Sequence, residues 1–388
     1  MKTEYILKHK NYDVINFTMN EKYEITDIGE IIENERLPFN INDKNNKVEI
    51  AVKVNNWIKA RGLSDSRKDI KEIKNIFNVD DKNELIIKAY CLNLTDHFWI
   101  QKDKNNIKWE NVNYFDNDFD KVLQKGNFDH SIDKNVKNPT PNFCVDGSIQ
   151  KRWVIIDGER VLLKGSMYQI MQEPFNEKIV SLILDEFGIE HVHYDQKRNS
   201  DEIPYSECKT MSDRDIEFIN AYWVIESENY EKKDTYTHYI DICNKNNLCK
   251  AKEKVDEMIA IDFLIGNNDR HKGNFGIMRD ANTLNWISMA KIFDNGNCLF
   301  FDRKNDEIES FGIDSLGKSF EASNRLQLNE INYPEWYSTD KGRKMVNIIA
   351  DELRCNERLL LKRIDKIVEI TKKRKDIFEN IIKSNIKK

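Results

Sequence analysis

At 388 residues the chain is longer than one ordinary domain, so two or three units are expected, each large enough to bury a core. Its 39% hydrophobic and 33% charged residues exclude a disordered chain, and no apolar run reaches bilayer-spanning length. The net charge of −6 argues against direct nucleic-acid binding; with no signal-peptide pattern in Met1-Lys-Thr-Glu-Tyr5, a cytoplasmic protein without membrane contact is expected. Seven dispersed cysteines, with no Cys-x-x-Cys pair, read as reduced thiols and argue against zinc.

Residues 1–124 are expected to form an N-terminal α+β domain. Ile50-Ala-Val-Lys-Val-Asn-Asn-Trp-Ile58 fits either helix or strand, whereas Ser66 to Phe77 repeats apolar residues three and four apart behind a capping serine and predicts a helix. Leu92 to Ile100 is apolar and aromatic enough for core. Residues 125–141 are polar, carry two prolines and read as a linker. Beyond it, Arg152–Ile156 and Arg160–Lys164 predict two strands joined by Asp157-Gly158, a hairpin dipeptide. A helix from about Pro174 to Phe187 ends at Gly188, and strands are expected at 189–197 and 203–209. His191 and His193, alternating on the first of these, are read as surface residues rather than metal ligands. From Lys252 onward helices dominate, apart from a β-rich stretch at 275–300. The last helix is amphipathic, with Leu360, Ile364, Ile367 and Phe378 expected near one face, and its Lys372-Lys-Arg-Lys375 run is read as solvated. The fold class that follows is α+β and bilobal, with a β-rich lobe at 142–211 and a helical lobe at 212–388.

The chemistry concentrates in Gly266-Asn-Asn-Asp-Arg-His-Lys-Gly-Asn274, a loop between an apolar helix and an expected strand, Phe275-Gly-Ile-Met278. Phosphoryl transfer needs a carboxylate to orient or deprotonate the acceptor hydroxyl and an oxygen ligand nearby for Mg²⁺. Asp269 and Asn274 supply both at the five-residue spacing of protein kinases. Asp294 ends a short apolar strand before Gly296, where that fold places its second metal carboxylate. Lys164 closes an apolar strand in the manner of the ATP-binding lysine, and Glu177, thirteen residues on, is the candidate partner, with Glu173 and Glu186 near either end of the same helix. Asp146-Gly-Ser-Ile-Gln-Lys151 offers a short phosphate-covering turn with a single glycine, Gly147. For His271 a scaffold contact to Asp294 or to the backbone is expected; Asp262 either orients the loop or is an ordinary buried cap.

The run from Ile261 to Gly276, followed by Ile292-Phe-Asp-Asn-Gly296, resembles the kinase domain of HipA-type serine/threonine kinases, and its Asp-Arg-His is similar to the loop of phosphoinositide kinases. The resemblance covers about residues 140–330. It implies ATP and Mg²⁺ as cofactors, Asp269 as catalytic base, Asn274 and Asp294 as metal ligands, and Gly147, Ser148, Lys151 and Lys164 around the phosphates. It also implies a hinge for adenine near Cys208 and Met211, a protein substrate of translation such as a tRNA synthetase, and an antitoxin partner; Ser148, lying in the phosphate loop, is a candidate for self-phosphorylation. Two departures stand out: Asp294-Asn-Gly lacks the phenylalanine of eukaryotic kinases, and no Ala-Pro-Glu follows. A small-molecule or lipid kinase is the first alternative, although the stretch from 294 to 319 is not basic. A non-catalytic nucleotide-binding interaction protein is the second.

Overall fold

The computed structural model describes residues 2–39, 41, 44–63, 70–119, 140–145, 149–228, 234–310, 313–329, 331 and 334–385. Most of the expected linker, the start of the helix expected from Ser66, and Gly147 and Ser148 lie outside them.

The chain opens with three antiparallel strands, β1 (Thr3–His9), β2 (Tyr12–Met19) and β3 (Ile25–Ile31). The helices α1 (Lys47–Ala60), α2 (Ile70–Ile76) and α3 (Lys82–Lys88) follow, before β4 (Phe98–Lys102) returns beside β1 to give the order β3-β2-β1-β4. The segment that fitted either helix or strand is helix α1: Asn46 caps it by accepting from the Glu49 amide. Ile50, Val54, Trp57 and Ile58, spaced as one helical face, are buried against the sheet.

A second antiparallel sheet, β5-β6-β8-β7, is built from β5 (Lys151–Ile156), β6 (Glu159–Lys164), β7 (Asp195–Arg198) and β8 (Pro204–Lys209). Asp157 and Gly158 both take left-handed φ values, 51° and 82°, as a tight two-residue hairpin requires. The resulting register sets Lys151 directly opposite Lys164. Helix α4 (Glu173–Phe187) packs against this sheet and is stopped by left-handed Gly188. The strand expected at 189–197 is shorter: His191 makes only an isolated bridge to Ile292, and regular pairing begins at Asp195. His191 is also not a surface residue. It is buried between the Ser181 hydroxyl and the Ile189 carbonyl, and only His193 is exposed.

The remainder is mainly helical. After β9 (Ile216–Asn220) come α5 (Ala221–Glu226), α6 (Thr235–Lys245) and α7 (Ala251–Ile265). β10 (Gly276–Asp280) and β11 (Trp286–Met289) then form a small sheet with β9. The short α8 (Glu307–Ser310) and α9 (Asn324–Gln327) precede the long α10 (Thr339–Arg354) and α11 (Leu361–Asn385). Ile364, Ile367 and Phe378 of α11 are buried in the core shared by α4, α7 and α10. Leu360 is not with them. It precedes the first turn and is 66% exposed, because Leu359 takes the buried place where the chain enters the helix.

The fold is α+β, with the β5–β8 sheet and the helical lobe facing each other across a cleft. Residues 92–119 pack directly on that sheet, Trp99, Trp109 and Tyr114 sharing a core with Trp153. All seven cysteines are free, and among the described residues no helix is long and apolar enough to cross a membrane.

Candidate active site

The loop after α7 is shaped by its own polar residues. Gly266 caps the helix at φ 66°, and a Cβ there would collide with the Arg374 guanidinium. Asn267 folds back, donating to Asp262 Oδ1 (2.9 Å) and accepting from the Asp269 amide (2.9 Å). The Asn274 side-chain Nδ2 donates to the Asp269 carbonyl (3.1 Å), which ties together the two residues spaced for chemistry. His271 accepts from the Gly273 amide at Nδ1 (3.0 Å); of its two expected contacts it makes the backbone one.

Arg270, to which the sequence reading gave no role, is the hub of this loop. Buried with Asp262, it donates to both carboxylate oxygens (3.0 Å each), to the Asn274 carbonyl (3.0 Å), to the Phe293 carbonyl and to Asn295 Oδ1. Asp262 thus orients the loop through Arg270. Burial pushes the Asp262 carboxyl above its ordinary value, with Arg270 opposing. A guanidinium can bind a carboxylate in a fork and still reach two carbonyls, so this one residue joins the Asp269 loop to the Asp294 segment.

Lys164, on β6, contacts Glu177 of α4 and Asp294 Oδ1 (2.7 Å). The cross-strand Lys151 reaches Asp294 Oδ2 at 3.5 Å. Of the three glutamates on α4, only Glu177 takes this place: Glu173 turns to Ser166 and the Met167 amide, and Glu186 to Lys344. Burial disfavours charge on Lys164, but Asp294 and Glu177 outweigh it and raise its pKa. Burial likewise opposes the Asp294 carboxylate, which Lys151 and Lys164 nevertheless hold well below the carboxylate range. Asp294 sits at φ 56°, a left-handed conformation that asparagine and aspartate tolerate best and that concentrates at functional sites.

Lys151, Lys164, Asp269, His271, Asn274 and Asp294 line one cleft of about 520 Å³, within the range of small-molecule sites. Its lining includes apolar Ile149, Leu162, Met211, Phe218 and Phe293, of which Leu162, Met211 and Phe293 pack on one cluster, and polar Lys151, Lys164, Asp269, Asn274, Asp294 and Asn297. Met211 faces the cleft. Cys208 does not; it lies beneath, packed with Val192 and Tyr194. Residues from the first 120, among them Arg61, Leu94 and Asp96, complete the wall.

The donor set fits a hard divalent cation, since Asp294 and Asn274 offer oxygens and the Asn274 nitrogen is already committed. Asn297, also missed from sequence, adds a buried Oδ1 with no hydrogen-bond partner among the described residues, while its amide nitrogen donates to Asp269 Oδ2 (2.7 Å). The other oxygen, Asp269 Oδ1, is met by Lys318 Nζ at 2.6 Å, a residue that no sequence spacing connects to it.

No protein-family model matches the chain. A stretch of 44 residues is 46% identical to the serine/threonine-protein kinase CtkA of Helicobacter pylori, amounting to 11% of this chain and 13% of that protein's length. The crystal structure of the Helicobacter pylori proinflammatory kinase CtkA aligns with a TM-score of 0.45 at 16% identity, over 61% of this chain and 94% of that one. HipA of Shewanella oneidensis, solved with HipB and operator DNA, aligns with a TM-score of 0.46 at 10% identity, over 98% and 96%. In sequence, the likeness over the 44-residue stretch is to a serine/threonine-protein kinase.

Proposed function

We propose that the chain is an ATP- and Mg²⁺-dependent kinase that transfers the γ-phosphoryl group to a serine or threonine hydroxyl of a protein. One observation carries this reading: Lys164, paired with Glu177 and Asp294, shares a cleft with Asp269 and Asn274, and apolar Leu162, Met211 and Phe293, packed on one cluster, line the same cleft. Such a lining suits a nucleotide, its base against Leu162, Met211 and Phe293 and its phosphates near Lys151 and Lys164. Glu177 fixes Lys164 so that the ammonium is already in place when phosphate arrives.

The acceptor hydroxyl approaches Asp269, whose carboxylate is held by Asn297 and Lys318 yet keeps lone pairs on both oxygens. Its oxygen attacks the γ-phosphorus, the bond to the β-phosphate oxygen breaks, ADP leaves with that electron pair, and the hydroxyl proton passes to Asp269. Mg²⁺, held by Asn274 and Asp294, would neutralise charge on the phosphate oxygens. His271, committed to the Gly273 amide, serves the loop's shape.

The test is incubation with γ-labelled ATP and Mg²⁺, comparing wild type with Asp269→Asn. Label should enter protein only with the wild type, and equal labelling would overturn the assignment. Phosphopeptide mapping of the labelled chain tests self-phosphorylation at Ser148. The resemblance extends the reading to an acceptor in translation and an antitoxin partner. Growth arrest on expressing wild type, but not Asp269→Asn, in a bacterial host is the expected sign.

A further inference from the structure

Resting on the kinase reading above, we infer that Lys318 is a positioning residue for the reaction: its ammonium fixes Asp269 and screens that carboxylate from the γ-phosphoryl oxygens. The chemistry demands such a cation. An ionised base and a charged phosphoryl group must lie close together at the moment of transfer, and their repulsion works against the approach. The loop's own cations do not meet the need among the described contacts. Arg270 is buried on Asp262, and Lys272 makes no contact with the Asp269 carboxylate, while Lys151 and Lys164 are drawn to Asp294. Lys318 Nζ stands 2.6 Å from Asp269 Oδ1, and of its three N–H donors this bond uses one.

The lysine is delivered by a fixed turn rather than a free loop. Leu316 bridges Ser323, the Gly317 amide donates to the Ala322 carbonyl (3.0 Å), and a Cβ on Gly317 would lie 2.4 Å from the Glu321 carbonyl oxygen. Ser319 beside it is buried against Gln327. Asn324, just past the turn, donates to the Asn267 carbonyl at the base of the catalytic loop (2.5 Å) and to Ser315 (2.9 Å). The turn and the loop therefore hold a common register, which places the lysine on the carboxylate.

Steady-state ADP formation from MgATP by the full chain tests this, using wild type, Lys318→Ala, Lys318→Arg, Asp269→Asn and the double variant. Lys318→Ala should lower kcat by about a hundredfold, the scale of a misplaced catalytic group, with KM for ATP little changed. Lys318→Arg should recover part of the loss. Lys318→Ala added to Asp269→Asn should cost nothing further, because the lysine acts through that carboxylate. The side chain is 43% exposed, so melting temperatures should match the wild type and exclude misfolding as the cause. An unchanged or raised kcat in Lys318→Ala, or additive losses in the double variant, would overturn the inference while the kinase reading stands. Equal turnover by wild type and Asp269→Asn would instead remove the kinase reading itself.

Discussion

Lys164 holds two carboxylates at once, Glu177 buried and Asp294 partly so, and that makes it the side chain with the most to lose. It is 3% exposed and Glu177 2%, so little water is available to replace either partner. Lys164→Met should abolish ADP formation. It should also destabilise the protein by roughly 3–5 kcal/mol in a denaturant titration, because Glu177 is left charged and unpaired in the interior. The paired change Lys164→Met with Glu177→Leu should regain much of that stability and none of the activity, which separates the ion pair's structural role from its catalytic one. A single variant as stable as wild type would show that the pair contributes nothing to the fold. Lys164 and Glu177 were legible in sequence because a strand-ending lysine and a helical glutamate lie only thirteen residues apart. Choosing Glu177 over Glu173 and Glu186 needed the packing of α4, which turns one glutamate toward the cleft and two away.

At the scale of elements, the loop between α7 and β10 could be read from sequence because its function is written in local spacing. Its rigidity could not. Arg270 binds partners 8 residues upstream and 23 and 25 downstream, and Lys318 lies 49 residues beyond Asp269, separations that no periodicity signals. The same limit explains Leu360 and His191. An amphipathic pattern gives a face but not the residue at which a helix begins, and alternation gives a side but not what covers it. Arg270→Lys should therefore behave as a severe change: one ammonium cannot replace the fork on Asp262 together with two carbonyls and Asn295. The expected loss is about 3 kcal/mol or more, with kcat falling as well, and wild-type melting and turnover in this variant would refute the hub. Gly276→Ala probes the strand that carries the loop. Its Cβ would lie 2.1 Å from the Ile219 carbonyl oxygen and 2.7 Å from Asn220 Cα, so β9 and β10 must part. A cost of about 1–3 kcal/mol is expected, measurable as a lowered melting temperature.

Across the whole molecule, the first sheet is joined to the helical lobe by a buried polar knot. Glu217 of β9 accepts from Arg279 (2.8 Å), from His9 Nε2 (3.1 Å), from His97 Nδ1 (3.2 Å) and from the His97 amide (3.3 Å). Arg36 donates to His9 Nδ1 (3.0 Å), and since a guanidinium only donates, His9 is neutral with its proton on Nε2. His97 Nε2 meets the Asp213 carbonyl, and nearby Lys10 pairs with Asp215 and Asn282. Burial lowers the His9 pKa, helped by Arg279 and opposed by Glu217. For Glu217 burial works upward, but Arg279 and His9 bring it well below its ordinary value. Both groups therefore bind protons less readily folded than unfolded, and both make acid destabilising. For His9 the full contribution is present above the unfolded value of about 6.5 and is lost as pH falls toward the folded value; Glu217 adds its share only below about 4.3. Between pH 7.5 and 5.5 the His9 contribution should thus fall. His9→Asn should be less stable at pH 7.5 but should lose less on acidification than wild type, as read by denaturant titration at the two pH values. Equal acid sensitivity in the two proteins would show that the knot does not set this part of the pH response. Because β9 runs beside β10, the strand that leaves the catalytic loop, loosening at His9 should also lower ADP formation over the same interval.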